Sequence, residues 1–137
     1  APRPHNDDVD LRADYIDQTD KVWRAQMTPP VKAKLDIMVA ARSDPQLAAQ
    51  LPSMFNAIEA RRRQFMIDFA RELGIEDDAA IEDMVTLHMA AMRGLSIEML
   101  LTDDPERIER AYVLLKRYKQ DLVDRLLSEA AQARATA

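Results

Sequence analysis

Arg62 is the polar side chain that sits most oddly in this chain. Phe55, Ile58, Phe65, Met66, Phe69 and Leu73 recur at helical spacing as one apolar stripe, and Arg62 falls in its middle. A guanidinium there can anchor a ligand carboxylate or phosphate by charge-assisted hydrogen bonds. It can equally lay its stem on the core and reach an acidic partner or solvent. Arg42 also leaves an apolar face, but at a helix's last turn, where it suits the free carbonyls and the helix dipole. His88 lies inside another apolar arc, where an imidazole can bond a ligand, sense pH or simply complete a core or interface. The other histidine, His5, lies in the lead-in and no Glu-x-x-His pair exists, so no metal or other cofactor is expected. With no Cys and only Gly74 and Gly94, the chain offers no thiol nucleophile and no glycine-rich phosphate loop. No catalytic residue is assigned, and an enzyme is not expected. Met and aromatic residues suit an adaptable apolar pocket, and also an ordinary core. The candidate pocket residues are Tyr15, Trp23, Met27, Leu35, Met38, Phe55, Ile58, Arg62, Phe65, Met66, Phe69, Met84, His88 and Met92.

The elements that position these residues all read as helices. Residues 1–6 form a flexible lead-in, a helical domain covers 7–133, and 134–137 fray. The first helix spans about 7–27, with Asp7 and Asp8 at the positive end of its dipole. Thr28 is placed as N-cap of a second helix over about 30–42, and Asp44 caps a third. Pro52 should break or kink that third helix, whose long part runs over 53–73 and ends at Gly74. A fourth helix covers 78–101 and a fifth runs from 105 to about 133. No strand pattern competes, so the fold class is all-α, a bundle of five or six helices.

The fourth helix is apolar around roughly 240° of its circumference, whereas a single core needs only about 100°. Ile81, Met84, Val85, Leu87, His88, Ala91, Met92, Leu95 and Met99 fill its arc, widened by Ala80, Ala90, Gly94, Ile97 and Leu101. On the fifth, Ile108, Ala111, Leu115, Tyr118, Leu122 and Leu126 recur at three-and-four spacing. A second copy of the chain is the simplest cover for the excess. The expected dimer interface is Ala91, Gly94, Leu95, Glu98, Met99, Ile108, Ala111, Tyr112, Leu115, Tyr118, Leu122 and Leu126. Glu98 among those residues needs a partner or a solvated edge.

Composition narrows the function. The chain has 137 residues, 47% hydrophobic and 31% charged, with a net charge of −5. That charge disfavours unaided nucleic-acid binding, where phosphate contacts dominate affinity. No membrane association is expected, because no apolar run approaches the length of a span, and absent cysteine suits a cytoplasmic setting. The start Ala1-Pro2-Arg3-Pro4 fits either a removed initiator Met or a piece cut from a longer protein.

The stretch from Val31 to Leu73 resembles the C-terminal regulatory domain of TetR-family transcriptional regulators. An apolar helix ends in Ala41-Arg42-Ser43-Asp44-Pro45-Gln46-Leu47, followed by a helix interrupted at Pro52 with Arg61-Arg62-Arg63 in its middle. Ala91-Met92-Arg93-Gly94-Leu95-Ser96-Ile97, before Leu100-Leu101 and Asp103-Asp104-Pro105-Glu106-Arg107, resembles the family's penultimate helix. The resemblance covers about residues 7–127. It implies a bacterial, homodimeric ligand sensor whose last two helices pair as a four-helix bundle and whose earlier helices enclose a small, largely apolar effector. Effector binding in that family shifts the paired DNA readers and releases the operator. This sequence departs from the family in lacking a helix-turn-helix, so DNA contact is expected only through a missing N-terminal domain. A stand-alone dimeric interaction module or a small-molecule carrier is the alternative reading.

Overall fold

A computed structural model describes residues 10–137, so the lead-in and the acidic pair at Asp7 and Asp8 lie outside the described residues. The described residues form five helices and no strand: α1 (Leu11–Gln26), α2 (Pro29–Ala40), α3 (Pro45–Glu72), α4 (Asp78–Leu101) and α5 (Pro105–Ala135). The fold is therefore all-α.

Aspartates start four of the five helices. Asp10, Asp44, Asp77 and Asp104 each accept from main-chain amides of the first turn, relieving donors that the helix leaves unpaired. Thr28 stands at the corresponding place before α2 but does not cap it. Its hydroxyl donates backwards to Ala25 O at 2.6 Å, closing the end of α1 instead.

Of the two outcomes expected at Pro52, a break does not occur: α3 is continuous over its 28 residues. Pro52 is exposed and lies about two turns past the Asp44 cap, so its missing N–H costs one main-chain bond at a solvated turn. Gly74 ends α3 as expected. Its φ of +94° lets Ile75 N reach Ala70 O at 3.0 Å and Gly74 N reach Arg71 O at 2.9 Å. These are the paired closing bonds of a glycine C-cap.

The core is built from α1, the second half of α3, α4 and α5. Tyr15, Phe69, Ile75, Ile81 and Val123 are fully buried at its centre. Tyr15 meets the edge of Phe69 with centroids 5.0 Å apart, and Trp23 stacks on Tyr112 at 4.6 Å. α2 contributes Leu35 alone to the buried set. α1 is tied to α5 by polar contacts as well. Arg12 grips Asp124 with Nε and Nη2 at 2.7 and 2.9 Å, while Lys116 Nζ (2.6 Å) and the Tyr112 hydroxyl both donate to Asp20. Partial burial opposes the charge on Asp20, but those two hydrogen bonds prevail and hold its carboxyl below the usual range.

α4 is long and apolar enough to cross a membrane by length and composition alone. One side of it packs in the core through Ile81, Met84, Val85, His88, Met89, Met92 and Ser96.

Candidate functional site

Inside the bundle lies a cavity of about 160 Å³. One face of α1 supplies Gln18, Thr19 and Val22; α3 supplies Arg62, Phe65 and Met66. Met84, Val85, His88, Met89 and Met92 come from α4, and Lys119 from α5. The i, i+3, i+4 spacing within each helix is what brings these side chains to one side. The wall is mostly apolar, with Gln18, Thr19 and Lys119 where α1 meets α5, and Arg62 and His88 on α3 and α4.

Six of the fourteen residues expected to form a pocket line this cavity: Arg62, Phe65, Met66, Met84, His88 and Met92. Tyr15, Trp23 and Phe69 are packed into the solid core by their mutual and Tyr112 ring contacts, and Met27 packs against that core from outside it. Met38 and Phe55 belong to a separate shallow groove between α2 and α3, with Arg42 at its edge. Leu35 is buried beneath α2 and Ile58 is turned outward. Their helical phase, rather than their chemistry, keeps them from the cavity.

Arg62 is not a free anion anchor. Its Nη1 lies 2.7 Å from Glu59 Oε1, and Arg93 Nη2 reaches the same oxygen at 2.6 Å. Arg93 also lies over the Phe55 ring, 5.1 Å from its centroid. Glu59 is only 7% exposed, and these two guanidiniums meet its carboxyl group inside the protein. Lys34 completes the surroundings, its ammonium pKa lowered by partial burial and by repulsion from Arg62 and Arg93.

Lys119 is the residue that the sequence reading missed. It is 4% exposed, deep at the junction of α1 and α5. Its Nζ donates to Thr19 Oγ1 at 2.8 Å and Tyr15 O at 2.9 Å and sits 4.5 Å from the centroid of the Tyr15 ring. Among the described residues it forms no salt bridge. Burial pushes its pKa down to about 7, with repulsion from Lys116 adding to the effect. A signal existed: Lys119 lies four residues after Leu115 and four before Val123, inside the inward stripe of α5.

His88 joins α4 to α5. Nδ1 lies 3.0 Å from Met84 O in its own helix, and Nε2 lies 3.1 Å from Leu115 O. A neutral imidazole has one N–H and can donate to only one of these carbonyls. The protonated ring would satisfy both, but burial outweighs the two acceptors and lowers its pKa, with Lys119 acting in the same direction as burial.

The other faces of α4 and α5 carry a second feature. Ala91, Gly94, Leu95, Ala111, Leu114, Leu115 and Tyr118 line a shallow apolar groove. Around it Leu87 is 64% exposed, Leu101 81% and Tyr118 59%. Glu98 is exposed on the same side of α4. Ile108, Tyr112 and Leu126, expected at an interface, instead point into the protomer's own core, and Met99 and Leu122 pack partly against it. α5 turns its Ile108–Tyr112–Lys119–Val123–Leu126 stripe inward, so only the flanking residues remain outside.

No group of three or more His, Cys, Asp or Glu side chains that could hold a metal ion occurs among the described residues. No family model matches this chain, and no curated protein and no solved structure is significantly similar to it.

Proposed function

We propose that this chain is the effector-sensing and homodimerising domain of a TetR-like transcriptional regulator acting in the bacterial cytoplasm. Its partners are a second copy of itself and a small, largely apolar effector. Operator DNA is read by a basic segment other than these five helices.

One observation supports this reading above the others. α4, which supplies five of the twelve residues lining the cavity, and α5, which adds Lys119, also carry the uncovered apolar groove on another side. A contiguous apolar surface of this kind on a water-facing helix pair is costly unless a partner covers it. Two copies pairing through this face bring four helices together. A ligand entering the cavity presses on the inner side of the same rods whose outer side sets the geometry of the pair. Effector occupancy and dimer geometry then share one mechanical element, as a coupling free energy requires.

Sedimentation velocity tests the proposal. The wild-type chain is expected to sediment as a dimer at micromolar concentration. Leu114→Arg with Tyr118→Arg changes two exposed side chains, so it is expected to give a folded monomer. A wild-type monomer, or a double variant that remains a dimer, overturns the reading.

A further inference from the structure

We propose that the cavity takes a small monocarboxylate, with its apolar body among Val22, Met66, Met84, Val85, Met89 and Met92 and its carboxylate on the ammonium of Lys119. The inference rests on the ligand-sensing reading above and names the chemical class of the ligand.

Three observations carry it. Lys119 is a buried cation at the cavity wall with two of its three donors used, on Thr19 Oγ1 and Tyr15 O, both uncharged. The third donor has no partner among the described residues. The acids nearest in charge, Asp17 and Asp20, do not reach it: Asp20 is held by Lys116 and Tyr112, and Asp17 is exposed. A buried ammonium is ordinarily paired; this one has no acid within reach among the described residues, and burial makes it shed its proton more readily.

The other charged side chain in the cavity lining, Arg62, is also a cation. Arg62 lines the wall, and in its cluster the cations Arg62, Arg93 and Lys34 surround a single carboxylate, Glu59. His88 on α4 and Lys116 on α5 add no negative charge. The charged side chains that line the cavity, Lys119 and Arg62, both favour an anion over a cation, while Asp17 and Asp20 on α1 act on Lys119 from outside the lining.

Size sets the rest of the ligand. An apolar cavity of about 150 Å³ holds a benzene ring. At about 160 Å³ this one accepts an aromatic ring or a short branched chain. A single ammonium with one spare donor, helped by the Gln18 amide and the Thr19 hydroxyl, matches one carboxylate better than a phosphate dianion.

Benzoate and benzyl alcohol are the probes, compared by titration calorimetry on the full chain between pH 7 and 9. Benzoate stays ionised over this range while free Lys119 loses its proton. Benzoate affinity is therefore expected to fall by about tenfold per pH unit above 7, with proton uptake on binding seen as a dependence on buffer ionisation heat. Benzyl alcohol affinity should stay flat. Lys119→Met should abolish the preference for benzoate and leave benzyl alcohol binding within about twofold. Should that variant not fold, the Lys119 Cε resonance of the wild type reports the same event, its titration moving to higher pH when benzoate is bound. Binding of both probes with equal affinity and no pH dependence overturns the carboxylate inference alone. Binding of neither removes the ligand-sensing reading as well. An unchanged benzoate preference in a folded Lys119→Met places the anion elsewhere and rejects the assignment.

Discussion

Among the described residues one acid and one lysine are buried, Glu59 and Lys119, and their surroundings are opposite. Glu59 on α3 has two guanidiniums on one oxygen, at 2.7 and 2.6 Å, and an aromatic ring beside one of them. Lys119 on α5 has a hydroxyl, a carbonyl and an aromatic face, and no anion. The first arrangement is closed within the chain and fastens α3 to α4. The second leaves an amine with no acid beside it at the wall of a cavity, and burial lowers its pKa to about 7. A compensated buried charge keeps its charge through the fold alone; a buried amine without an acid keeps its charge at neutral pH and above only when an anion joins it.

Removing the compensated charge gives the largest expected effect. Glu59→Ala strands Arg62 and Arg93 side by side and should lower stability by about 4 kcal/mol, read from the urea midpoint. A loss under about 1 kcal/mol would erase the contrast with Lys119.

Lys119 comes next, through pH. Its folded pKa of about 7 lies below the unfolded value of 10.5. Between those values the unfolded chain holds a proton that the folded chain has released, so stability rises with pH and levels off below 7. From pH 7 to 9 the gain should approach about 2 kcal/mol, and Lys119→Met should flatten the curve. A wild-type urea midpoint that falls over this interval would contradict the burial of an unpaired ammonium.

The two arginines then separate the shares of the closed cluster. Arg93→Ala should cost about 2 kcal/mol, since Arg93 is the more buried guanidinium and also covers Phe55. Arg62→Ala should cost about 1 kcal/mol, because Arg93 still holds Glu59. Arg62→Ala should also weaken benzoate far less than Lys119→Met does, in the same calorimetric titration. The reverse order would return the anchor role to Arg62.

Helix class and most helix boundaries were legible because aspartate caps and a closing glycine are local signals. The broad arc on α4 was legible for the same reason, and the outer face of α4 does carry exposed Leu87 and Leu101. The role of Arg62 was not. Its neighbour Glu59 sits one turn earlier on the same stripe, but Arg93 comes from another helix, and only tertiary packing brings it to the same oxygen. The split of α5 between core and exterior was also hidden. Its apolar residues cover two adjacent faces, and periodicity cannot say which face α1 will cover. The Trp23–Tyr112 stack decides it. Thr28 and Pro52 show the limit of single-residue rules: the hydroxyl served the helix before it, and the imino acid sat where solvent could replace a lost bond.

That imino acid has a consequence for motion. With no amide at Pro52, the carbonyl of Ala48 lacks its helical donor, and bending at that turn breaks no rung of the ladder. The first turns of α3 and the lightly buried α2 are therefore expected to bend more readily than the half of α3 bearing Met66 and Phe69, which sits in the core. Amide exchange should be fastest around that pivot, giving the bundle a soft end beside a stiff one.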